Sequence, residues 1–109
     1  MRGNEEELEL LERACTDMPF AEAEQLCLAA YSWIMQHDYH PHIGRCVTIP
    51  ESKVSVMVFK SFTGEWVGSA FVLDYDVEPL TCKAETAYEA FIRICLLAHL
   101  VKSAVGAHG

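Results

Sequence analysis

The densest run of chemistry-bearing side chains is His37, His40, His42 and Cys46, spaced H-x2-H-x-H-x3-C. Three imidazoles and a thiolate are the donors that a tetrahedral zinc site takes. The run lacks a second short-spaced element, such as C-x2-C or H-x3-H, to turn all four toward one centre. The leading expectation is therefore no metal and no cofactor. A zinc-binding domain or small metal-dependent enzyme on His37, His40, His42 and Cys46 is the alternative. His42 and Cys46, with Asp38 nearby, also have the residue types of a base, a nucleophile and an orienting group. Nothing beside them marks an oxyanion site. Cys95 and His99 stand one helical turn apart, but in an apolar arc that reads as core. Asp74, Asp76 and Glu78 alternate after a strand and could hold calcium or magnesium, yet they lack the glycine and distal glutamate of a calcium loop. The glycine-rich phosphate-binding and nucleophile-elbow patterns do not occur. The chain is expected not to be an enzyme.

Charge is more informative. The 109 residues include 16 Asp/Glu and 8 Lys/Arg, a formal net charge of −8. Residues 1–24 hold eight of those acids (Glu5, Glu6, Glu7, Glu9, Glu12, Asp17, Glu22, Glu24) against Arg2 and Arg13, a local net of −6. Binding phosphates depends on Lys and Arg displacing counterions, so such a surface repels nucleic acid. A basic protein surface is attracted to it, and the field speeds the encounter. Aromatic side chains anchor interfaces, and charge steers them. The candidate partner-binding residues are thus Glu5, Glu6, Glu7, Glu9, Glu12, Asp74, Asp76, Glu78 and Trp66. Trp33, Tyr39 and Phe62 are further aromatics of the same kind. The expected partner is a protein with a basic surface, with no direct nucleic acid and no membrane.

Hydrophobic residues make up 51% of the chain and charged residues 22%, which excludes disorder, collagen-like repeats and solenoids. No basic start followed by an apolar run opens the sequence. The apolar region Tyr88 to Val101 is cut by Glu89, Arg93 and His99, and it is shorter than the roughly 20 residues that a span needs. The five cysteines are odd in number and form no C-x-x-C pair. A cytoplasmic location with reduced thiols is expected.

These residues must be positioned by a small set of elements. Leu8, Leu11 and Cys15 place a helix over 4–16, and Asp17 is the expected cap of the next. Phe20, Ala23, Leu26, Cys27, Ala30, Tyr31, Ile34 and Met35 form a 3.6-period stripe over 18–37. Leu28 and Trp33 lie off that stripe. Pro41 and Gly44 mark a loop. A short strand is expected at 45–49 and an alternating one at 53–60. A hairpin connection at 61–65 then leads to a return strand at 66–75. Asp76 to Leu80 reads as loop, and 82–103 as the last helix, capped by Thr81. Ile92, Leu96, Leu97 and Leu100 widen that helix's apolar arc most of the way round, which suggests a homodimer through it and an oligomeric structural or regulatory subunit as a further alternative. The fold class is α+β in one domain, 1–109: two N-terminal helices, a three-stranded antiparallel meander, and a C-terminal helix packed on the sheet.

The segment Thr86 to Cys95 carries a T-x3-A-x2-R pattern (Thr86, Ala90, Arg93) after a strand pair holding Gly64, Glu65 and Trp66. Over about a third of the chain this resembles the C-terminal half of small phage and prophage accessory proteins with an α/β/α sandwich. The resemblance implies a mobile-element accessory protein without enzymatic chemistry. Acidic proteins of this kind include anti-CRISPR inhibitors, which occupy basic nucleic-acid-binding surfaces as nucleic-acid mimics.

Overall fold

The computed structural model describes residues 2–30, 47–49, 54–72 and 80–108. Helices α1 (Arg2–Asp17) and α2 (Phe20–Ala30) come first, then strands β1 (Val47–Ile49), β2 (Val54–Lys60), β3 (Trp66–Val72) and β4 (Leu80–Ala84), then helix α3 (Ala87–His108). The class is α+β, with two leading helices, an antiparallel meander and a closing helix packed on the sheet, as the sequence indicates. The meander has one more strand than expected: its order is β1-β2-β3-β4, every neighbour antiparallel.

The added strand takes residues that the apolar run had assigned to a loop and to the start of the last helix. In Leu80–Ala84, Leu80 and Cys82 are buried while Thr81 and Lys83 are exposed, the period of two that a strand facing a core on one side requires. The helix starts later because Thr86, not Thr81, caps it. The Thr86 Oγ1 accepts from the Glu89 N–H at 3.1 Å, and the Ala90 N–H donates to the Thr86 carbonyl. The Glu89 carboxylate reaches back to the Glu85 N–H at 3.2 Å, so T-x-x-E works here as a capping box shifted by one residue. A similar shift occurs at the first junction. Asp17 ends α1, and the Pro19 carbonyl accepts the first bond of α2 from Ala23. The hairpin stands where expected. The Ser61 N–H donates to the Glu65 carbonyl at 2.8 Å, and Gly64 turns the chain with φ of 89°.

The register places Val56 opposite Ala70 and Val58 opposite Gly68, with Cys82 on the far side of Gly68. These residues share the face on which α3 lies. The approach is close at Gly68: a Cβ there would come within 2.6 Å of the Ala90 carbonyl oxygen and 2.7 Å of the Ile94 Cβ. On its other side α3 meets α1 and α2, so it is the middle of three layers. Residues 90–98 and Val101 are all buried. The nearly all-round apolar arc that suggested a homodimer is thus covered within one chain, by the sheet on one side and the helix pair on the other. On α2, Ala23 and Cys27 point into the core and Leu28 packs against it, whereas Leu26 is exposed.

Candidate functional site

The acids of the N-terminal helices separate into two groups. Glu6 and Glu9 on α1 and Glu22 on α2 are exposed, and Leu10 beside the first two is 64% exposed. Glu12 is used by the fold. Its Oε2 accepts from the Thr81 N–H and the Thr81 hydroxyl, both at 3.2 Å, and so covers an open N–H of the edge strand β4. This removes Glu12 from the outward docking set, because its carboxylate is already committed. Glu24 accepts from the Tyr88 hydroxyl at 2.8 Å. Partial burial, followed by this hydrogen bond and the Glu24 charge, pushes the Tyr88 phenol up to about 12. Glu5 and Glu7 lie on α1, but their side chains are outside the described residues, as are Asp74, Asp76 and Glu78.

Trp66 is not the free anchor that its sequence position suggested. It is half-buried, packs against the core cluster, and has the Lys60 Nζ 5.9 Å from its ring centroid. Its register opposite Ala84 and Lys60 puts it on the sheet face that carries the core. Phe62, at the hairpin tip, is fully exposed.

The residue whose task sequence reasoning missed is Arg93, which entered there as a break in the apolar run and as a position of the T-x3-A-x2-R pattern. It stands in the apolar arc of α3 and is 6% exposed. Its Nε and Nη2 donate to the Glu89 Oε1 at 3.1 and 2.8 Å. Its Nη1 donates to the carbonyls of Cys15 at 2.7 Å and Met18 at 2.5 Å. Those carbonyls belong to the end of α1 and the turn after it, where helical oxygens have no partner in their own helix and a cation is favoured by the dipole. The Phe20 ring lies 6.0 Å from the guanidinium carbon and meets Tyr88 edge-on at 5.9 Å. Arg93 therefore clasps the turn between α1 and α2 to the middle layer. Glu89 at i−4 on the same helix was the available signal, since a charge inside an apolar arc must find its counter-charge nearby.

The three motif positions of the T-x3-A-x2-R pattern each have a packing task. Thr86 starts the helix, Ala90 lies against Gly68, and Arg93 forms the clasp. Among the described residues, no group of three or more His, Cys, Asp or Glu could hold a metal ion. His37, His40, His42 and Cys46 lie outside the described residues, as do Asp38, Trp33 and Tyr39. Cys15, Cys27, Cys82 and Cys95 are free and buried. Burial pushes the Cys15 thiol up to about 11 and the Cys82 thiol up to about 12, and it raises Cys95 well above the ordinary range. Thiols held protonated in this way are poor nucleophiles. Cys95, read as core against a pairing with His99, is fully buried. Among the described residues, no helix is long and apolar enough to cross a membrane. Searches against known protein families, curated proteins and solved structures return no match to this chain.

Proposed function

We propose that the chain is a non-enzymatic cytoplasmic binding protein whose acidic helical layer docks on a basic surface of a protein partner. The observation that carries this reading is the division among the acids. Glu12, Glu24 and Glu89 are consumed by internal hydrogen bonds, while Glu6, Glu9 and Glu22 are left facing solvent. Exposed acids raise the local negative potential and speed a basic partner's approach. The exposed Leu10 among them gives the face an apolar contact point. Free, buried thiols suit a reducing compartment. A partner that uses its basic surface to hold nucleic acid would lose access to it, which is the inhibitor role implied by the resemblance to phage accessory proteins.

The test is retention of partners on the immobilised chain as ionic strength rises. Screening shortens the reach of exposed charges to about 10 Å at 0.1 M salt and about 3 Å at 1 M. Partners held at low salt should elute across that range, and a Glu6→Lys, Glu9→Lys double variant should not retain them. Retention indifferent to both salt and charge reversal overturns the reading.

A further inference from the structure

We propose that the tip of the β2–β3 hairpin is a self-association surface: a second copy of the chain packs its own tip against it across a two-fold axis, Phe62 on Phe62 and Lys60 on Glu65. Phe62 is fully exposed, so the fold gains no contact from its ring. It is the second residue of a tight turn, Ser61–Gly64, closed by a bond from the Gly64 N–H to the Ser61 carbonyl at 3.1 Å. The Ser61 and Thr63 hydroxyls share a further hydrogen bond at 2.9 Å. Turns favour Gly, Pro, Asn, Asp and Ser, which shape the backbone or bond to it, and a phenylalanine supplies neither service. Because the turn is already fixed, a contact made through it costs little further ordering.

Charge selects the occupant. Two chains of net charge −8 repel each other wherever their acids meet, and residues 1–24 alone sum to −6. Those acids are not at the tip. α1 passes Thr81 at Glu12, and the chain then reaches Tyr88, in the first turn of α3, through Phe20. α3 begins just after Ala84, which pairs with Trp66 at the hairpin end of the sheet, so the acidic first turns of α1 lie toward the other end. The hairpin end carries Lys60 and Lys83 against Glu65 and Glu85, a balance of zero. Among the described residues no carboxylate pairs with Lys60, which has only the Trp66 ring at 5.9 Å. Glu65 has Lys83 at a loose 4.0 Å, with both side chains more than half exposed. A cation and an anion thus stand on opposite sides of one turn. A two-fold axis through the tip brings each onto its counterpart in the second copy, the self-complementarity that an isologous pair requires. The two rings meet at the centre and the charges form the rim. A contact of this size belongs to the weak class, below about 1,200 Å² in total. It leaves the acidic helical layer free, so it stands or falls independently of what docks there.

The experiment follows the mass of the full chain by analytical ultracentrifugation from about 10 μM to about 2 mM, a range that brackets a weak contact. The expected result is a mass that climbs from monomer toward dimer as concentration rises. Phe62→Ser, which removes no internal contact, should weaken association by about tenfold or more, the effect of taking one buried phenylalanine ring from an interface. Lys60→Glu alone and Glu65→Lys alone should each lose association, because each sets like charges across the axis. An equimolar mixture of these two variants should regain it, since every charge then meets its opposite, and so should the double variant Lys60→Glu, Glu65→Lys. Damage to the fold of either variant is not repaired by mixing, so the mixture reads the interface and not stability. A chain that stays monomeric across the range, association that survives Phe62→Ser, single charge variants that associate like the unmodified chain, or a mixture that restores nothing each overturn the proposal.

Discussion

On helix α1, Glu12 reaches the edge of β4 and takes two hydrogen bonds from Thr81, while Glu6 and Glu9, one to two turns earlier, face open solvent. About two turns of one helix thus contain both a carboxylate that shapes the fold and carboxylates that the fold leaves alone. The same contrast runs between Arg93, whose guanidinium reaches four acceptor contacts inside the molecule, and Arg13, which is exposed on α1. A charge is structural where the surroundings supply partners for it, and it is available for recognition where only water does. The two kinds should therefore respond in opposite ways to mutation: removing the first lowers stability, and removing the second changes binding while the fold persists.

The largest effect is expected at Arg93. Arg93→Leu leaves the Glu89 carboxylate and the Cys15 and Met18 carbonyls without their donor inside a mostly buried site. Breaking one partner of a buried pair costs about 3–5 kcal/mol, read as a lower urea midpoint. Arg93→Lys keeps the charge but loses the forked geometry, and should fall between the two. A loss below about 1 kcal/mol for Arg93→Leu would mean that the clasp is ornamental and that the division of acids has no energetic basis. Next comes Gly68→Val, which forces methyl groups into the Ala90 carbonyl and the Ile94 side chain. Overpacking of this kind costs roughly 1–3 kcal/mol or more, and an unchanged thermal midpoint would disprove the close seating of α3. Thr86→Ala removes the side-chain bond to the Glu89 N–H and should cost about 1 kcal/mol. Glu89→Ala should cost more, because Glu89 serves both this cap and Arg93. Equal costs at the two positions would separate cap from clasp.

The periodicity of two in 54–60 and 66–72 and the glycine in the connection between them made the central hairpin legible, since both signals are local. The long apolar run of the last helix was legible as a helix but not in its start. Alternation over Leu80–Ala84 is only five residues long, and Thr81 mimics the cap that Thr86 provides; the glutamate three residues after Thr86 distinguishes them. The covering of that helix was not legible, because all-round hydrophobicity says that a helix is buried without saying by what. Charge composition located the acidic helix correctly but could not sort Glu12 from Glu6 and Glu9. That distinction depends on a strand edge 69 residues away in sequence. Arg93 was hidden for the same reason: its carbonyl partners lie 75 and 78 residues away.

The smallest change in stability, and the one that most sharpens the contrast, is expected for the Glu6→Lys, Glu9→Lys double variant. Both side chains face water, and surface substitutions away from buried networks usually stay within about 0.5 kcal/mol each. Reversal also places positive charge in the N-terminal half of α1, where the dipole slightly disfavours it, so any shift should be a small loss. The urea midpoint should therefore barely move while partner retention disappears. Glu12→Gln is the matched control on the same helix. It changes the charge less, yet it weakens the bonds to Thr81, so it should lower the midpoint by about 0.5–1 kcal/mol and leave retention intact. If instead the double variant unfolds the chain and Glu12→Gln does not, the outward acids are the structural ones, and the assignment of the two faces of α1 is reversed.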